Sequence, residues 1–293
     1  MTTDARPGSL EAELAERRPL WRSLLIHAAL IAICFVMIYP LLWMISASVR
    51  PHDEIFSSAG LIPSSVDWSA YWRGWNGLRV SFGTFFLNSF VIAGLAVVGN
   101  VLACSLTAFA FARLEFFGKR FWFGVMLVTL MLPYQVTLIP QYVLFLKLGW
   151  VDTILPLVVP KFLAADAFFV FLMVQFFRGI PRELDEAAMM DGCSPWRIYW
   201  KIMLPLSTPV LATAAVFTFI WTWDDFFGPL IYLNDMRQYT VMLGLRTFTD
   251  STGESDFSGL FAMSVASLVP IFLLFLVFQR LLIEGIATTG MKR

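Results

Sequence analysis

Charge is scarce in this 293-residue chain: Asp, Glu, Lys and Arg make up 14% of it, where a soluble domain carries about 25%. The 21 acidic and 21 basic residues cancel, so the strongly basic face that nucleic-acid binding requires is missing. Histidine occurs only as His27, in an apolar run, and His52, in a polar stretch, too far apart to build a zinc site or a proton relay. Cys34, Cys104 and Cys193 lie in apolar segments or on the side read below as cytoplasmic, so they are expected to pack rather than to pair. There is no GxxxxGK[ST] phosphate loop either: FFGKR at 116–120 has no glycine five residues before Gly118. These absences exclude a phosphate-loop nucleotide site, a disulfide scaffold and a metal-centred active site in this chain.

Apolar residues are plentiful instead, at 58% with a mean hydropathy of +0.73. A hydrocarbon core about 30 Å thick needs about 20 apolar residues per helix, with every backbone group bonded inside the segment. Six runs meet that length, at 24–48, 84–112, 120–146, 155–177, 207–231 and 261–283. The first is longer than the apolar core of a signal peptide, about 7–15 residues, and lacks a small-residue cleavage site. The predicted fold class is therefore an all-α membrane protein with six transmembrane helices. Fourteen of the 21 Lys and Arg fall in stretches that are cytoplasmic if the chain starts inside: Arg6, Arg17, Arg18, Arg22, Arg113, Lys119, Arg120, Arg178, Arg182, Arg197, Lys201, Arg280, Lys292 and Arg293. That bias predicts cytoplasmic N- and C-termini. Residues 1–23 read as a polar cytoplasmic leader, and 24–293 as a single membrane domain.

The most polar interruption of this pattern is DEAAMMDGCSPWRIYWKIMLP at 185–205, which faces the cytoplasm on the same topology. Pro181 suits a first helical turn, and Glu183, Asp185 and Glu186 complement the positive end of a helix dipole. Gly192 suits a left-handed stop, and Ser194-Pro195 is an N-cap and first-turn signal for a second helix ending at Leu204-Pro205. Ala187 and Ala188, with Leu184 at helical spacing, predict a smooth flank that another protein's backbone could approach. An ordinary capped interfacial loop would share these features.

Glu186-Ala187-Ala188, three residues, Gly192, nine residues, Ile202, one residue and Leu204-Pro205 resemble the EAA–G–I–LP signature of ATP-binding-cassette importer permeases. From about residue 80 onward, stretches such as FGTFFLNSFVIAG, AFAFARLEFFGKRFWF, TWDDFFGPLIYLND and IEGIATTGMKR are similar to the second permease of the carbohydrate-uptake, maltose-permease-like family. The resemblance implies a type I importer bundle in the cytoplasmic membrane, with a coupling loop at 178–205. In it Glu186, Ala187, Ala188, Asp191 and Gly192 would dock on an ATP-binding subunit. It also implies a homologous second permease, two copies of the ATP-binding subunit, and an extracytoplasmic binding protein. ATP and Mg would be held by those partners, with no cofactor and no catalytic residue in this chain. Two departures stand out: Asp224-Asp225 replaces the Asn-acid pair of many relatives, and the tail ends Met291-Lys292-Arg293.

Polar residues at membrane depth are costly, which makes each a candidate for the route of a polar solute. Asn100, Gln135 beside the helix-interrupting Pro133, Asp166, and Trp223, Asp224 and Asp225 of WTWDDFFGPL form that set; rings and carboxylates together suit sugars. Trp221 and Trp223 would equally serve as interfacial anchors, and Asp166 as glue between helices. On a continuous helix Lys161 and Asp166 would be about 140° apart, so no direct pair is expected. The stretch 232–258 reads as a polar external loop with Asp235, Asp250, Glu254 and Asp256 exposed, matching the family segment that enters the binding protein. The favoured function is thus the translocating subunit of an ATP-driven sugar importer working by alternating access. The alternatives are an ion-coupled carrier using Asp166 and, weaker still, an intramembrane enzyme, for which no catalytic pair can be assembled.

Overall fold

The computed structural model describes residues 20–57, 60–249 and 256–290. The leader before residue 20, Asp250, Glu254 and the terminal Met291-Lys292-Arg293 lie outside the described residues. Among the described residues every regular element is helical. Helix α1 (Leu20–Ala47) leads through a loop held by the fully buried Arg50, whose Nε donates to Ser46 Oγ at 3.2 Å, into α2 (Ser69–Asn76) and α3 (Phe82–Arg113). Next come α4 (Lys119–Thr129), α5 (Tyr134–Lys147), α6 (Leu155–Val158), a 3₁₀ turn at Val159–Leu163 and α7 (Ala167–Gly179). The hairpin supplies α8 (Glu183–Met190) and α9 (Pro195–Ile198), followed by a π turn at Tyr199–Met203 and α10 (Leu204–Leu206). Helices α11 (Thr208–Trp223), α12 (Phe227–Tyr232), α13 (Val241–Leu245) and α14 (Phe257–Gly290) complete the bundle.

α3 is the central post, packed against α7, α11 and the 3₁₀ turn. Small buried residues at helical spacing, Ala93, Ala96, Gly99, Cys104, Ala108 and Ala112, let its neighbours come close. Gly99 is the tightest of these: a Cβ there would lie 2.5 Å from the Phe162 ring. Each end of α3 carries one apolar cluster. Phe109, Phe169, Met173, Phe177, Tyr199 and Met203 gather at the hairpin end, and Phe82, Phe85, Trp223, Val241, Phe248 and Met263 at the other.

Among the described residues four helical stretches are long and apolar enough to cross a membrane: Trp21–Ala47, Phe82–Arg113, Leu155–Gly179 and Phe257–Arg280. Pro195–Leu206 and Thr208–Trp223, bent by 78°, make a fifth if they are counted as one crossing. The expected single helix at 120–146 is corrected to two, α4 and α5, separated at Leu130–Pro133. Pro133 has no N–H to give and pushes Leu132 out of helical geometry. The expected continuous helix at 155–177 is likewise broken: a 3₁₀ turn ends at Ala164, which adopts φ +53°, before α7 begins.

The stretch between α12 and α14 also differs from the polar loop expected of it. Val241, Leu243 and Phe248 are buried in the far cluster, and Ser89 Oγ accepts the Val241 N–H at 2.8 Å. Asn88 Nδ2 donates to the carbonyls of Arg237 and Tyr239 at 2.8 and 3.0 Å. Asp235 is exposed as predicted, whereas Asp256 is half-buried and accepts the Gly259 N–H at 2.9 Å. Asp152, at φ +61°, binds this stretch from the α5–α6 loop: its carboxylate accepts the Asn234 and Asp235 N–H groups at 2.8 and 2.9 Å. Those two donors hold its carboxyl below the usual range.

Candidate functional site: the hairpin and the polar cleft

The hairpin folds as its sequence predicts. Gly192 takes φ +78°, and the N–H groups of Asp191, Gly192 and Cys193 close the end of α8 on the carbonyls of Ala187, Met189 and Ala188. Ser194 Oγ accepts the Arg197 N–H at 3.4 Å and caps α9. Pro181 stands just ahead of the first turn, where Arg182 is the N-cap residue.

What holds the hairpin to the bundle was not evident in the sequence. Arg113, the last residue of α3, places Nε 2.8 Å from Asp185 Oδ2, and its Nη2 donates to the Ile180 carbonyl at 2.7 Å. Both side chains are almost fully buried, at 6% and 10% exposure. Asp185 Oδ1 has no hydrogen-bond partner among the described residues, so the pair is matched in charge without being fully bonded. On the second limb, Tyr199 donates to or accepts from Ser105 Oγ at 2.8 Å, and its ring packs against Phe109 and Trp196.

This anchoring divides the predicted coupling residues. Ala188 is buried in the hairpin-end cluster, so the smooth flank expected of Ala187, Ala188 and Leu184 is corrected to a two-sided arrangement. Asp185 and Ala188, three residues apart, point into the bundle, leaving Glu186, Ala187, Leu184, Met190 and Asp191 exposed at the tip. A charged and apolar tip thus projects from a base fixed by an ion pair and by packing.

The second feature is a cleft of about 570 Å³ lined by Thr137, Gln141, Lys161, Asp166, Trp221 and Asp225, among others. Lys161 Nζ lies 2.8 Å from Asp166 Oδ2. The absence of a direct pair, expected from helical spacing, is therefore corrected. The 100° rule holds only on a continuous helix, and the left-handed Ala164 swings Asp166, now the residue preceding α7, back toward Lys161. Asp225 sits in the break between α11 and α12; its Oδ1 accepts the Gly228 N–H at 3.1 Å, and a Cβ on Gly228 would collide with the carboxylate.

Of the six route candidates, the cleft gathers Asp166 and Asp225. Asn100 is fully buried between helices, its Nδ2 donating to Thr218 Oγ1 at 2.7 Å and its Oδ1 accepting from Cys104 Sγ at 3.1 Å. Trp223 is buried in the far cluster, with Nε1 donating to the Ser267 carbonyl at 3.2 Å. Both join helices and do not line the cleft. Gln135 and Asp224 are exposed and also stand outside the lining. Lys161 and Gln141 complete the cleft, and the sequence reading missed both as members. Gln141 follows Pro140 in an apolar helix, the same signal that singled out Gln135.

A sharply capped hairpin bolted to the end of a membrane helix sits at one end of a bundle that holds a polar cleft. The profile of one protein family, described as binding-protein-dependent transport system inner membrane component, matches residues 99–287. The chain belongs to this family. The matched region of this permease runs from the middle of α3 through the hairpin and into α14. It is 36% identical over 265 residues to the arabinooligosaccharides transport system permease protein AraQ of Halalkalibacterium halodurans, covering 89% of this chain and 93% of that one. It is 34% identical over 254 residues to the probable ABC transporter permease protein YurM of Bacillus subtilis, covering 87% and 83%. It is 32% identical over 270 residues to the trehalose/maltose transport system permease protein MalG of Thermococcus litoralis, covering 92% and 96%. Its fold matches, at a TM-score of 0.79 and 24% identity, a chain from a bacterial ABC transporter involved in the import of the acidic polysaccharide alginate, over 90% of this chain and 98% of that one. The protein is an inner-membrane permease component of a binding-protein-dependent ABC transporter.

Proposed function

We propose that this permease carries a carbohydrate across the cytoplasmic membrane as one half of a two-permease core, with six crossings and both termini cytoplasmic. The printed names of its relatives, which include arabinooligosaccharide and trehalose/maltose permeases, support the sugar class. The 14 basic residues on one side support the orientation. On this reading α4 and α5 together make the third crossing, broken at Pro133 where a cleft and not lipid meets the freed backbone.

The observation that carries the proposal is the hairpin's division into a bolted base and a projecting tip. Arg113–Asp185 and Ala188 bind it to the bundle, while Glu186, Ala187 and Asp191 are offered outward. Such an element transmits a push from an ATP-hydrolysing subunit because its base cannot slide. ATP and Mg belong to that subunit, present in two copies, and an extracytoplasmic binding protein delivers the sugar. The cleft around Lys161, Asp166, Trp221 and Asp225 lies on the route, where a ring face and charged hydrogen-bonding groups meet a polyhydroxylated solute. Because Lys161 already neutralises Asp166, the ion-coupled carrier loses the free carboxylate on which it depended.

The test is uptake into vesicles containing the complete assembly. Vanadate should abolish it, an ionophore should not, and Glu186→Lys should stop uptake while the permease stays in the membrane. Full uptake by Glu186→Lys, or uptake insensitive to vanadate, would falsify the proposal.

A further inference from the structure

A second concavity, outside both sites above, lies at the hairpin end of the bundle. It is about 780 Å³ in volume, and its polar walls come from Lys119, Arg120, Arg178 and Arg182 with a single carboxylate, Glu115. Glu115 is already engaged, 3.0 Å from Lys119 Nζ, which also donates to the Leu114 carbonyl at 2.7 Å. Among the described residues no carboxylate lies within ion-pair distance of Arg120, Arg178 or Arg182. The Arg178 guanidinium stands 5.1 Å over the Phe123 ring, a cation–π contact that leaves the charge without a carboxylate partner.

The groove's depth in the membrane follows from what ends there. The spans Phe82–Arg113 and Leu155–Gly179 stop at its wall, and α4 starts at Lys119. Beside it Phe117 is fully exposed, and Phe121 and Trp122 are 66% and 55% exposed. Tryptophan at a helix end sits at the level of lipid headgroups, which puts Trp122 there. A basic recess between helix ends at that level, with apolar rings outside it, has the complement of a phosphate ester attached to acyl chains.

We infer that this groove binds the phosphodiester headgroup of an anionic phospholipid, with Arg120, Arg178 and Arg182 on the phosphate and the chains lying along Phe117, Phe121 and Trp122. Arg182 also precedes α8 directly, so the bound headgroup touches the base of the hairpin. The placement in the cytoplasmic leaflet rests on the proposed topology; headgroup binding itself does not.

The experiment uses the permease purified with its partner subunits, stripped of lipid, and titrated with phosphatidylglycerol or phosphatidylcholine under native mass spectrometry. Each cation near an anionic surface is worth about fivefold in affinity, so the exposed pair Arg120→Gln/Arg178→Gln should lose about thirtyfold for phosphatidylglycerol. Weak phosphatidylcholine binding should stay the same in both. Arg120→Glu alone, at a position with no ion pair among the described residues, should show a loss of the same sign. Equal binding of the two lipids by the unaltered complex would overturn the inference, as would phosphatidylglycerol binding that survives the double substitution. Inorganic phosphate displacing phosphatidylglycerol at equal concentration would reduce the groove to a simple anion site and also count against it. Co-purification of the ATP-hydrolysing subunit, scored in the same spectra, reports separately on the permease assignment. Loss of that subunit from the double variant with phosphatidylglycerol binding unchanged would make the groove a protein contact instead and overturn the inference.

Discussion

Two carboxylates in this permease stand 2.8 Å from a cation, and their surroundings make them different devices. Arg113–Asp185 is 6% and 10% exposed and ties the hairpin base to the end of α3; Lys161–Asp166 is 26% and 29% exposed and faces the cleft. A dry pair cannot be opened without stranding a charge, whereas water can replace either partner of a wet one. The first therefore suits a fixed joint, and the second a contact that, on the proposed route, a solute could open and remake.

The sharpest way to break this contrast is Arg113→Ala. Leaving Asp185 buried and unpaired should cost about 3–5 kcal/mol, seen as a collapse in the thermal unfolding midpoint and membrane yield. The charge-exchanged double variant Arg113→Asp/Asp185→Arg should recover part of that loss. Next comes Lys161→Met, which should lower stability by less than about 1 kcal/mol yet reduce uptake about tenfold, with ATP hydrolysis by the assembly still detectable. If the two variants destabilise equally, the division into dry and wet pairs is wrong. Raising salt should narrow the difference between Lys161→Met and the unaltered protein and leave the Arg113→Ala deficit unchanged.

Two further contacts calibrate the scale. Asn100→Ala removes two buried bonds with no charge, to Thr218 and from Cys104, and should cost about 1–2 kcal/mol with no specific effect on solute affinity. A selective loss of affinity would return Asn100 to the route. The smallest effect is expected at Asp152, whose carboxylate is held below its usual range by two backbone N–H groups. A depressed carboxyl stabilises the fold above its unfolded pKa, about 3.9, and loses that contribution as pH falls through the folded value. The unfolding midpoints of Asp152→Asn and the unaltered protein should thus differ modestly at neutral pH and converge on acidification.

These contacts also show what could be read from residues alone. The hairpin was legible because its signals are local: Gly192 for the left-handed turn and Ser194 for the cap. Pro133 was equally visible, yet the run of apolar residues on either side of it was read as one helix where α4 and α5 are two. Arg113 and Asp185 are far apart in sequence and share no pattern, so only the packing of α3 against the hairpin brings them together. The Lys161–Asp166 pair was misjudged because the angular rule assumed an unbroken helix, and Ala164, in a left-handed conformation without being glycine, gives no warning. Likewise Trp223 and Asn100 carried the chemistry of a binding residue but were spent on joining helices. Polarity suggested an outer loop where Val241 and Phe248 in fact complete a core.

One early element carries a different lesson. No residue in the most apolar stretch of α1 is buried by the rest of the chain, and toward the C-terminal end of the helix Trp43 meets Phe261 edge-on at 5.4 Å. Little of the packing within this chain constrains their shape, and hydrocarbon asks only that they be oily. Much of α1 could accordingly be rewritten in another apolar alphabet of equal length, provided Trp43 and the Ser46–Arg50 corner were kept, with little consequence for the helices packed around α3.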